Sequence, residues 1–94
     1  MTLRDIRKHA VEHMEAEAVR LEKDLAKMRV SHEKLQLALF DAGKRLDSSP
    51  ASGPLVRQTE ELQKRISEIV VTMHHLDARI SRIKHRAERL RRNG

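Results

Sequence analysis

The feature that most constrains this chain is a repeat of apolar residues at alternating three- and four-residue steps, interrupted once. In the first stretch it runs through Val11, Met14, Ala18, Leu21, Leu25, Met28, His32, Leu35, Leu39, Ala42 and Leu46. In the second it runs through Leu55, Thr59, Leu62, Ile66, Ile69, Met73, Leu76, Ile80, Ile83, Ala87 and Leu90. Only an α-helix brings residues at that spacing onto one face, and so narrow a stripe is the seam of a coiled coil. His32 and Thr59 are its two polar members.

The interruption, Asp47 to Pro54, holds both prolines, three serines and a glycine, so it reads as a loop. Thr2 followed by Asp5 is a capping-box arrangement for the first helix. Gly53 before Pro54 suits the start of the second, because proline fits the first helical position. Asn93-Gly94 is the expected stop. The expectation is one all-α domain over residues 1–94, an antiparallel coiled-coil helical hairpin. Its helices should span about 3–46 and about 54–92, with a Pro/Gly/Ser loop at about 47–53.

Folding at the loop sets Leu46 against Leu55, and then Leu39 against Leu62, Leu35 against Ile66, Leu25 against Leu76 and Leu21 against Ile80. This register brings Glu17 near Arg86, Asp24 near Arg79 and Glu15 near Lys84. It also predicts two repulsions, Glu22 with Asp77 and Lys8 with Arg91. Exposed ion pairs contribute only about 0–1 kcal/mol each, so they tune register rather than hold the fold.

Composition excludes much else. The chain has one phenylalanine and neither tryptophan nor tyrosine, which leaves little to anchor a compact globular core. The absence of cysteine removes a disulfide framework and a thiolate zinc site. No apolar run approaches a membrane span, and the N-terminus lacks a signal peptide's hydrophobic stretch, so the expected location is cytoplasmic.

The charge is uneven. Residues 16–78 carry ten Lys/Arg and ten Asp/Glu, so the net +6 belongs to the two ends of the sequence, which the hairpin brings together. The candidate basic patch is Arg4, Arg7 and Lys8 from the first arm with Arg82, Arg86, Arg89, Arg91 and Arg92 from the second. Arg79 and Lys84 add to the same end. Such a patch is either a solvated helix end or an electrostatic footprint for an acidic protein, for nucleic acid or, least favoured, for a membrane surface. No aromatic interleaves with it to stack on bases, which weighs against nucleic acid as the main target.

Val30, Leu37 and Phe40 fall on the outer side of the first arm, Val71 lies outside the second, and Val56 and Val70 flank the seam. Scattered surface apolar residues are ordinary. Yet Leu37 and Phe40 share a helical face with Val30 two turns before, which is how a helix presents anchors to another helix. Val30, Leu37, Phe40, Val70 and Val71 are therefore the candidate partner-binding residues.

Catalytic and metal chemistry finds little support. His9, Glu12 and His13 spell the H-x-x-E-H pattern of a metalloprotease class, but the heptad register turns both histidines outward. Glu88, level with His13, points away on the other arm. His74 and His75 are neighbours in sequence, not a chelating pair. His32 sits in the seam opposite Ile69, where a polar residue fixes register and where protonation would make it a pH sensor.

The sequence thus points to a non-enzymatic protein–protein interaction module, an adaptor, co-chaperone or assembly subunit. Its partner would be another protein or further copies of itself, as a dimer or four-helix arrangement. The alternative is a nucleic-acid-binding accessory protein using the basic end. No cofactor, metal or small-molecule substrate is expected.

Overall fold

The computed structural model describes residues 2–93, and these form two helices, α1 (Leu3–Ser48) and α2 (Gly53–Arg92). They make an antiparallel helical hairpin with no strand among the described residues. Every seam position named from the sequence, in both arms, is buried or half-buried. The apolar period therefore selects the packed face as expected.

The helix ends follow from local chemistry. Asp5 N–H donates to Thr2 Oγ1 at 3.2 Å, and Thr2 N–H donates to the Asp5 carboxylate at 3.3 Å, the reciprocal pair of a capping box. At the other end of α1 the helix runs two residues beyond the expected 46. The Ser49 N–H reaches the carbonyls of Arg45 and Leu46, and Ser48 Oγ donates to the Lys44 carbonyl. The loop is then a tight turn in which Ser52 N–H returns to the Ser49 carbonyl at 3.0 Å, with Pro50 in the position that favours its fixed φ.

Ser52 is the N-cap of α2. Its hydroxyl accepts from Leu55 N–H at 3.4 Å, and its carbonyl accepts from Val56 N–H. The helix consequently starts at Gly53, one residue before the expected Pro54. Proline is tolerated at the second position because the first four helical N–H groups have no intrahelical acceptor. Asn93 N–H still bonds to the Arg89 carbonyl, and Gly94, the other half of the expected stop, lies outside the described residues.

By their contacts the residues fall into two compact units, one bounded by Met1–Ala26 and His74–Gly94, the other by Lys27–Met73. The terminal unit holds a closed seam: Val11, Ala18, Leu21, Leu25, Ile80 and Ala87 are buried. Ala18 and Ala87 are the least exposed of these residues, at 2% and 3%. Each fully buried large aliphatic side chain contributes about 1.5–3 kcal/mol. The loop unit differs. Only Ala42 is buried there, while Leu35, Leu39, Leu46, Leu55, Leu62, Ile66 and Ile69 are all half-buried. Thr59 in its seam spends its hydroxyl on the Leu55 carbonyl at 2.8 Å, so it brings no unpaired donor.

Candidate interaction surfaces

The charges flanking the seam of the terminal unit pair differently from the expectation. Glu17 takes Arg79 at 2.9 Å rather than Arg86. Glu15 takes Arg91 rather than Lys84, and Glu22 takes Lys84 at 2.5 Å. Each partner lies one heptad from the one expected. Asp24 consequently does not hold Arg79, and one member of each expected repulsion has a partner of opposite charge: Glu22 has Lys84, and Arg91 has Glu15.

The reason is side-chain lean. In antiparallel helices each Cα–Cβ bond tilts toward its own N-terminus, which brings Glu15 and Arg91 toward each other across a longer axial step. Glu17 and Arg79 lean apart, and the length of the arginine spans the gap.

These pairings sort the predicted basic residues. Arg7 is half-buried and donates to the Asn93 carbonyl, Arg91 is taken by Glu15, and Arg92 pairs with Glu88 at 2.6 Å. Arg4, Lys8, Arg82, Arg86 and Arg89 are exposed and form no ion pair among the described residues. Residues 1–15 are charge-balanced, three bases against three acids, so the whole excess comes from residues 79–94, with seven bases and one acid. The chain matches no protein-family model, no curated protein and no solved structure to which it was compared. The surfaces themselves therefore carry the argument.

The apolar candidates lie on the loop unit. Val30 (52% exposed), Leu37 (63%), Phe40 (64%) and Val71 (54%) face solvent, while Val70 is half-buried beside the seam. Lys44 Nζ sits 4.5 Å from the Phe40 ring centroid, a cation–π contact one turn along α1. Leu3, Ile6 and Val19 of the terminal unit are also exposed, and the sequence reading passed over them because they fall outside the seam without forming a repeat.

The histidines are dispersed. His9 and His13 are both exposed; His9 Nδ1 lies 3.9 Å from a Glu12 oxygen, and His13 lines a shallow groove with Ala16, Glu17 and Arg20. His32 is half-buried in the seam of the loop unit and has no ion-pair partner among the described residues. No group of three or more His, Asp or Glu side chains converges to hold a metal ion, and no helix is long and apolar enough to cross a membrane, among the described residues.

Proposed function

We propose that this chain is a non-enzymatic helical-hairpin interaction module that docks through its loop unit onto other helices, those of a partner protein or of a second copy. The observation that supports this reading is the open seam of the loop unit. Its leucines and isoleucines are half-buried, and a second set of apolar side chains, Val30, Leu37, Phe40 and Val71, is more than half exposed. A two-helix layer covers one stripe per helix, and further helices laid against it would remove both sets from water. Phe40 and Leu37 would act as the anchors, since large side chains seated in a pocket supply most of an interface's energy.

Sedimentation equilibrium over a wide concentration range tests the self-association form, with Leu37→Asp and Phe40→Ala as variants. The expected result is a dimer or larger species that both substitutions shift toward monomer. Capture of a partner by the wild-type chain, lost in the same two variants, is the result expected if the added helices are foreign. A chain that stays monomeric at high concentration, and whose partner capture ignores both substitutions, overturns the reading.

A further inference from the structure

We propose that Arg79, Arg82, Arg86 and Arg89 form a stripe that binds the phosphate backbone of duplex nucleic acid without reading its bases. This goes beyond the docking reading and does not depend on it, because all four residues belong to the terminal unit. Steps of three, four and three keep them on one face of α2, over about 15 Å of helix.

The stripe works against the stability of its own helix. At helical-neighbour spacing Arg82 meets Ala78, Arg79, His85 and Arg86, and Arg86 meets Arg82, Ile83, Arg89 and Leu90. Like charges so placed destabilise a helix. From α1 the stripe receives one carboxylate, that of Glu17, which Arg79 takes. The helix dipole accounts for cations in the last turn only, here Arg89, Arg91 and Arg92, and leaves Arg79, Arg82 and Arg86 unexplained. Elsewhere on the same unit the cations Lys84 and Arg91 are matched by Glu22 and Glu15. Within α2 of this unit, Arg82, Arg86 and Arg89 are the cations that form no ion pair among the described residues.

Its chemistry suits phosphate. All four positions are arginine, whose planar fork matches phosphate oxygens two at a time. A duplex carries a phosphate at every nucleotide of each strand, so each of the four arginines has one to meet. The groove beside it, lined by Glu17, Arg79, Arg82, Ile83 and Arg86, is shallow, fit for a backbone passing across rather than an extruded base. The sole aromatic, Phe40, belongs to the other unit, so a single strand finds no stacking platform here. An acidic protein would need an apolar anchor at the centre of the contact. The apolar residue between these arginines, Ile83, is instead a half-buried member of the seam.

The test is fluorescence anisotropy of the full chain with a labelled duplex of arbitrary sequence, titrated with salt. Four phosphate contacts predict a slope of log K on log salt of about −3.6, a loss of about 150-fold between about 50 and 200 mM. The double variant Arg82→Ala, Arg86→Ala should halve that slope, while Arg57→Ala and Lys64→Ala in the loop unit should leave it unchanged. Glu17→Gln should tighten binding by releasing Arg79, an effect that loss of a structural ion pair would not produce. Circular dichroism of each variant confirms that helicity persists. Four results would overturn the proposal: no binding at about 50 mM salt, a slope insensitive to Arg82 and Arg86, tighter binding to a single strand than to the duplex, or displacement of the duplex by polyglutamate at equal charge.

Discussion

Gly43 occupies the interior of α1 with ordinary helical backbone and no positive φ, so the helix does not require a glycine there. A Cβ built at this position meets nothing within 4 Å. Gly43→Ala should therefore stabilise the isolated chain by about 0.5–1 kcal/mol, through reduced freedom of the unfolded state. Urea denaturation of the dilute chain checks this, and a lowered midpoint would show that the space is already in use. Single residues were also where the sequence was least legible. The six residues that pair across the seam were all among the flanking charges named, but their partners were not the expected ones, and Asp24, Asp77, Arg86 and Lys8 form no pair across it among the described residues. A long exposed side chain reaches either of two opposite positions a heptad apart, and lean rather than spacing decides between them. Arg82, Arg86 and Arg89 could be named from charge alone. Their separation from Arg7, Arg91 and Arg92 is a property of the folded chain, because it depends on which carbonyl or carboxylate each guanidinium finds.

At the level of the helices the sequence was much more informative. Every position that the alternating steps named is packed, including the polar ones, because helical geometry converts spacing directly into a face. The loop was placed correctly, but it is shorter than its composition suggested. Asp47 and Ser48 remain helical, and the cap falls to Ser52. Serine and aspartate compete with helix by bonding to nearby backbone, and at Ser48 the hydroxyl instead returns to the preceding turn. How completely each seam position is covered was not legible, since that depends on how closely the backbones approach. It has a measurable consequence. Ile80→Ala, at a buried position, should cost about 2–4 kcal/mol, and Leu62→Ala, at a half-buried one, about half as much. Equal losses in chemical denaturation of the dilute chain would contradict the uneven burial.

For the molecule as a whole, apolar surface and charge are divided between the two units. The terminal unit holds six of the seven buried hydrophobic residues and four of the six net positive charges. The loop unit holds the exposed phenylalanine and the open seam. Local stability follows buried contacts. Amide hydrogen exchange at low protein concentration should accordingly be slowest around Leu21, Leu25 and Ile80 and faster around Leu35 and Leu62. Raising the concentration should slow the second group selectively if copies cover the loop unit. Uniform slowing across both groups would point to a different contact surface.

The three interhelical ion pairs among the described residues have a mechanical meaning. Moving from Glu15 to Glu17 advances two residues along α1, while the partner moves from Arg91 to Arg79, twelve residues along α2. The bonds therefore slant in opposite senses, like the crossed members of a truss. Sliding one helix along the other in either direction slackens one diagonal but stretches the other. Weak individually, the pairs together resist shear in both directions, which a uniform apolar seam tolerates in whole-heptad steps.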